Sequence, residues 1–141
     1  MLLEILKRLD RRRIIYDREK QEPYLIRYYL FLKDRKWFPF NIFLHNFRKS
    51  DIDDLHDHPW HWMTIVLKGG YWEHTPKGKF WRGPGFIGLR KPQDLHRVEL
   101  AEGVYPWTLF FVGPKRKEWG FIDKGKWIEH ETYLKEKYNV L

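Results

Sequence analysis

Three of the seven histidines fall within the stretch Leu55-His56-Asp57-His58-Pro59-Trp60-His61-Trp62. His56 and His58 are spaced i, i+2. Successive side chains on a β-strand alternate faces, so this spacing projects both imidazoles from one side. Two imidazoles fixed on a rigid strand are half of a metal site, and the remaining ligands must come from elsewhere in the chain. The stretch therefore asks for a β-scaffold that closes on itself and brings distant segments together.

The rest of the chain suits that demand. Eight Trp, eight Tyr and ten Phe favour strands, and ten Gly with eight Pro supply turns. At 141 residues one self-sufficient domain is expected over 1–141, with an N-terminal helix over 1–13, a β-barrel over 14–128 and a C-terminal helix over 129–141. No cysteine is present, which excludes disulfides and thiolate ligands and leaves His, carboxylate, backbone or water to bind a metal. The first ten residues are too charged for a signal peptide, and no apolar run reaches the ~18 residues of a membrane span. A soluble, cytoplasmic protein without a membrane partner is the expectation.

Along the chain, residues 2 to about 12 read as a short helix with Leu2, Leu3, Ile5, Leu6 and Leu9 on one side, needing something to dock on. Strands are expected at Ile14–Tyr16, Tyr24–Leu32 and Phe38–Phe47, with turns at 17–23 and Lys33-Asp34-Arg35-Lys36. The loop 48–54 carries Asp51, Asp53 and Asp54, but lacks the glycine and distal Glu of a calcium loop. A central strand is expected over Leu55–Leu67, a hairpin turn at Lys68-Gly69-Gly70 and a return strand at Tyr71–Thr75. Further strands are expected at 80–82, 86–89, 96–100, 106–112, 119–122 and 127–128, and a helix at 131–138 pairing Leu134 with Tyr138. About ten short strands with closely spaced turns imply a sandwich or barrel.

The order of an H-x-H pair on a strand, a Gly-Gly turn, a Pro-Gly and then a further His leading into a strand resembles the cupin double-stranded β-helix, a mostly β jelly-roll barrel. The matching residues are His56-Asp57-His58, Gly69-Gly70, Pro84-Gly85 and Pro92-Gln93-Asp94-Leu95-His96, and the resemblance runs over roughly residues 40–113. Within that superfamily the chain looks like small, often phage-associated proteins carrying L-H-x-F and L-H-D-H-P-W, here Leu44-His45-Asn46-Phe47 and Leu55–Trp60. It departs from the common pattern where cupins place a metal-binding Glu four or five residues after the second His. Trp62 and Met63 stand there, and the second motif is one residue shorter between Pro92 and His96.

What the resemblance implies is a three-histidine metal site of His56, His58 and His96, similar to the ligand set of cysteine dioxygenase and related thiol or diketone dioxygenases. It favours Fe(II), with Zn, Mn or Ni as alternatives. Cupins often dimerise through strands at the barrel edge, so a homodimer is also implied. Three neutral imidazoles leave the full charge of a divalent ion, which suits an anionic, chelating substrate.

Other residues are candidates around that centre. Asp57 lies between the two ligands, so alternation turns it away, toward hydrogen bonds outside the site. His61 is out of phase unless Pro59 produces a bulge. A two-residue loop at Lys68-Gly69 or Gly69-Gly70 would set Glu73 opposite Thr64 or Val66, on the face of His56 and His58. There it would be a ligand, an anchor for a ligand histidine or a general base; otherwise it is an exposed rim charge. His45 either lines the same pocket or is a core histidine. Arg90 is the candidate to clamp a substrate carboxylate or phosphate, whereas Arg97 should face away. Ser50, the one serine, sits in no nucleophile motif, and no phosphate loop or dinucleotide fingerprint is present.

Three functions compete. The leading expectation is a non-haem Fe(II) dioxygenase-like enzyme acting on a small anionic substrate, with Glu73 or His45 handling a proton and Arg90 the anion. The second is a redox-neutral, metal-assisted isomerase, epimerase or hydrolase on a sugar or nucleotide-like compound. The third is a non-catalytic ligand or nucleic-acid binding module, in which the net charge of +8 and the basic run Lys7-Arg8 with Arg11-Arg12-Arg13 would matter most. It ranks last because aromatic and basic residues do not interleave as in RNA-binding modules.

Overall fold

The computed structural model describes residues 1–17, 22–32, 39–51 and 54–138. The turn expected at 33–36, the start of the strand expected from Phe38, the acid Asp53 and the side chain of Tyr138 lie outside the described residues. The chain is mostly β, with a helix at each end: α1 (Leu2–Arg8) and α2 (His130–Tyr138). Between them run β1 (Arg12–Tyr16), β2 (Pro23–Tyr29), β3 (Asn41–Phe47), β4 (Trp62–Lys68), β5 (Tyr71–Thr75), β6 (Gly78–Arg82), β7 (Ile87–Arg90), β8 (Arg97–Glu99), β9 (Trp107–Val112), β10 (Gly120–Asp123) and β11 (Lys126–Glu129). No helix among the described residues is long and apolar enough to cross a membrane.

Among the described residues three antiparallel sheets form. Six strands pair in the order β1-β2-β3-β9-β4-β7, three in the order β6-β5-β8, and β10 pairs with β11. Alternation decides which side chains fill the space between the larger two sheets. Trp62, Thr64 and Val66 on β4, Phe43 and His45 on β3, and Thr108 and Val112 on β9 all turn inward and are buried. Val66, Tyr71 and Val98 bring the two sheets into one apolar cluster, each burial contributing roughly 1.5–3 kcal/mol. Tyr29, Phe43, Trp62 and Val112 form a second cluster beside the histidines. Phe121, Tyr133 and Leu134 form a third, which fastens α2 to β10.

Two sequence expectations change in a way that matters for the site. The strand expected from Leu55 to Leu67 begins at Trp62, and residues 55–61 cross the barrel without a continuous ladder. Pro59 has no N–H to give a ladder, and the chain bends at Pro59-Trp60. Its backbone bonds go instead to two separate segments, 92–96 and 113–122. His56 exchanges two 3.0 Å bonds with His96, Asp57 N–H donates to Gly120 O, and His58 N–H donates to Pro92 O. The second change is at Gly69-Gly70, which does not pair β4 with β5. With φ of +80° and +152° these glycines carry the chain from one sheet to the other. A Cβ on Gly70 would lie 2.5 Å from Trp81 Cζ2.

The N-terminal helix is also less buried than its apolar stripe suggests. Leu6 is buried, while Leu2, Ile5 and Leu9 remain exposed. The basic run does not form one helical face. Lys7 and Arg8 close α1, Arg12 and Arg13 open β1, and Arg11 is spent on the carbonyls of Tyr29 and Phe31 at 2.8 and 2.6 Å.

Candidate metal centre

His56, His58 and His96 converge. Their ring centroids lie 5.3 Å (56–58), 5.0 Å (56–96) and 5.0 Å (58–96) apart. One ligand nitrogen from each falls within 4.8 Å of the others, a spacing one divalent ion can span. The bridge between His56 and His96 brings two of the three together through the backbone, across a long sequence separation. His58 arrives by the separate bond of its N–H to Pro92 O.

Each imidazole sits in a different polar environment. His96 Nδ1 is 2.9 Å from Glu73 Oε2. The other oxygen of Glu73 accepts from Arg82 Nε and Arg90 Nη2, both at 2.9 Å. Burial alone would push the Glu73 carboxyl up, but the hydrogen bonds from His96 and Arg90 and the nearby positive charge outweigh it and bring it down to about 2. An ionised carboxylate only accepts hydrogen bonds, so His96 Nδ1 must carry the proton and Nε2 is left as the free donor of a lone pair. His56 Nδ1 lies 3.4 Å from the carbonyl oxygen of Asp54. His58 Nδ1 is enclosed and makes no hydrogen bond. Burial first, then the neighbouring His96, His56 and Lys117, hold the His58 imidazole well below its ordinary range, in the neutral form that binds metals.

An orphaned imidazole nitrogen, a neighbour with its tautomer fixed by a carboxylate and a third imidazole within reach fit a metal ion. Among the described residues no carboxylate joins the cluster of ligand nitrogens, and Glu73 reaches it only through His96 Nδ1. Trp62 stands where many cupins have a carboxylate ligand. Its ring lies 4.8 Å from His58 and 4.9 Å from His96, and its Nε1 is enclosed without a partner. Trp60, Trp119 and Phe121 complete an aromatic surround.

The other sequence candidates are distributed as follows. Glu73 is 1% exposed and reaches the inside of the barrel, but through β5 pairing with β6 and β8 rather than opposite Thr64 or Val66. Arg90 binds Glu73 and the Leu89 carbonyl. His45 is buried and accepts from Arg27 Nε at 3.0 Å, with Phe110 between it and His58. Asp57 turns away from the trio and accepts from Gly120 N–H (2.7 Å), Lys117 Nζ (2.6 Å) and Trp127 Nε1 (2.9 Å). His61 is exposed. Arg97 faces away, toward Asp51 O and His74. Asp51 and Asp54 serve Val98 N–H and the Tyr133 hydroxyl.

Arg82 was not singled out from the sequence, although a signal existed. The Pro76–Lys79 turn closes a hairpin that sets Arg82 opposite Tyr71, on the same face as Glu73.

No protein-family model matches the chain, and none of the curated proteins is similar to it in sequence. Solved structures are similar in fold. A cupin-2 domain from Rhodospirillum rubrum superposes with a TM-score of 0.63 at 12% identity, over 89% of this chain and 82% of that one. The polyketide cyclase RemF from Streptomyces resistomycificus gives 0.61 at 15% identity, over 80% and 78%. Fe(II)-HppE, determined with an alternative substrate, gives 0.54 at 15% identity, over 74% of this chain and 56% of HppE. This chain thus spans little more than half the length of HppE. Likeness at such identities establishes the architecture.

Proposed function

We propose that this cupin-fold chain is a metal-dependent enzyme whose ion is held by His56, His58 and His96, and that it oxidises a small anionic substrate in the manner of a non-haem Fe(II) dioxygenase. The observation that carries the reading is the convergence of three imidazoles with no carboxylate among them, one of them held by Glu73. Iron(II) bound there would supply oxygen chemistry. The likeness to Fe(II)-HppE supports iron as the ion.

The chain's own residues have separate tasks in this reading. Glu73 orients His96 and keeps its Nδ1 protonated. Arg82 and Arg90 hold Glu73 in place and ionised, so the region behind His96 carries two cations and one anion. Trp60, Trp62, Phe110, Trp119 and Phe121 exclude water from around the imidazoles, which strengthens the pull on an anionic substrate. His45, enclosed and kept neutral by burial and Arg27, lies beyond Phe110 from His58 and is a further group able to hold a proton.

The test is metal content and oxygen consumption. Purified protein should hold one equivalent of iron, the His56→Ala variant none, and oxygen uptake with thiol or chelating acids should require Fe(II). A second reading, redox-neutral isomerisation, epimerisation or hydrolysis, is favoured by the likeness to a polyketide cyclase. Turnover of a sugar or nucleotide-like substrate with Zn(II) or Mn(II) under anaerobic conditions would select it.

A further inference from the structure

Away from the trio, the inner face of the six-stranded sheet carries positive charge without a counter-ion among the described residues. Arg13 on β1 and Arg27 on β2 are direct register partners. Like charges directly opposite each other on neighbouring strands are destabilising unless something of opposite sign lies between them. Among the described residues, neither guanidinium has a carboxylate partner. The described acids that form ion pairs are engaged elsewhere: Asp17 and Glu22 with Lys49, Asp57 with Lys117, Glu73 with Arg82, Arg90 and His96, Glu99 with His74 and Lys79, Glu118 with Lys115, and Glu129 and Glu131 with His130.

Arg27 is not a solvated surface cation. Its Cζ lies 4.3 Å over the buried Phe43 ring, and its Nε–H donates to His45 Nε2. Burial lowers the guanidinium's proton affinity, contact with Tyr29 raises it, and Arg13 lowers it further. Arg13 is exposed, so the pair spans from the barrel interior to the surface. His45 cannot neutralise the charge. It accepts from Arg27, which leaves its proton on Nδ1, and both burial and Arg27 keep it uncharged. Beside His45 in the ladder, the enclosed Thr108 hydroxyl makes no hydrogen bond.

We propose that Arg13 and Arg27 form an anion subsite, taking the carboxylate or phosphate group of a small molecule between their guanidinium groups. One ring separates this subsite from the trio: Phe110 lies 5.1 Å from His45 and 6.4 Å from His58, centroid to centroid. A ligand with an anionic end on Arg27 would extend past Phe110 toward the histidines. This deepens the functional reading by giving the substrate an anionic anchor remote from the metal, and it assigns that anchor to Arg27 because Arg90 is committed to Glu73. Only the reach to the histidines rests on the metal reading; the subsite itself does not.

The experiment is calorimetric titration of chelator-treated, metal-free protein with inorganic phosphate and, separately, acetate, at constant ionic strength. The Arg27 Nε–H resonance locates the site. We expect saturable one-to-one binding that moves this resonance. Affinity should fall about tenfold or more in Arg27→Gln, as expected for a charge-assisted hydrogen bond. It should fall about two- to fivefold in the exposed Arg13→Gln, a variant that leaves the interior intact. Binding of phosphate alone assigns a phosphorylated ligand, and binding of acetate as well assigns a carboxylate. The subsite is overturned if neither anion binds saturably to metal-free protein, or if both variants bind as the parent does. Failure of the metal reading would look different: anions still bind, but no ion is taken up by the histidines.

Discussion

Glu73 and His96 meet across the β5–β8 pairing, with Oε2 of one 2.9 Å from Nδ1 of the other. Two arginines close on the far oxygen of the carboxylate. The candidate centre is therefore backed by an ionic group that touches one imidazole and is kept away from the ion's position.

Glu73→Gln preserves shape but removes the charge. His96 loses its ionised acceptor, and metal affinity should fall about 10- to 100-fold. Arg82 and Arg90 would be left without their counter-charge, at a cost of about 3 kcal/mol in stability. Chelator competition and denaturant melts measure the two effects separately. Parent-like metal affinity would remove Glu73 from the centre.

Loading with metal should raise the melting temperature of the parent by the linkage of binding to folding, about 2.7 kcal/mol at a free ion concentration one hundred times Kd. His56→Ala should melt at one temperature with or without the ion. A metal-induced shift of equal size in the variant would place the ion elsewhere.

His45 predicts a pH dependence. Its folded-state proton affinity is depressed, first by burial and then by Arg27, while the unfolded chain titrates near the ordinary value of about 6.5. The unfolded state therefore binds the extra proton as pH falls. Stability is fully present above about pH 6.5 and declines below it, by up to about 1.4 kcal/mol per pH unit for this one group. His45→Gln should flatten that part of the profile in urea titrations between pH 7 and 5. Superimposable slopes for parent and variant would mean that the histidine is protonated in the fold.

Asp57 holds the β10–β11 hairpin and the preceding Lys117 against the histidine segment through three side-chain bonds. Asp57→Ala strands the Gly120 N–H and the Trp127 indole and should cost about 2–4 kcal/mol. Hydrogen exchange should show the loss first in residues 117–138, with β3 and β9 still protected. Uniform loss of protection across the sheets would argue against this local clamp.

The fold was legible because aromatic-rich strands and regular Gly and Pro punctuation act locally. The histidines could be nominated from the spacing of His56 and His58 and the position of His96, and the structure brings those three rings together. What could not be read was non-local. Pro59 breaks the expected central strand, so His58 is placed by Pro92 rather than by a ladder. Glu73 points inward through a strand pairing different from the one its neighbouring glycines suggested. The pairing of Arg13 with Arg27 depends on a register between residues fourteen apart in sequence, which no motif between them specifies. Nor did the apolar stripe of α1 reveal that Leu6 would be buried and Leu3 only half-buried while Leu2, Ile5 and Leu9 stay exposed.

The bonding of residues 55–61 to two distant segments also has a consequence in time. Asp57 finds its Gly120 partner 63 residues along the chain, and closing so long a loop has to be offset by contacts that exist only once both sheets have packed. The two neighbouring histidines are made early but aimed late. In the proposed reading an emerging chain would offer them to an ion only as a loose pair, the three-point grip would form at the end of folding, and an ion would select the finished barrel rather than guide its assembly.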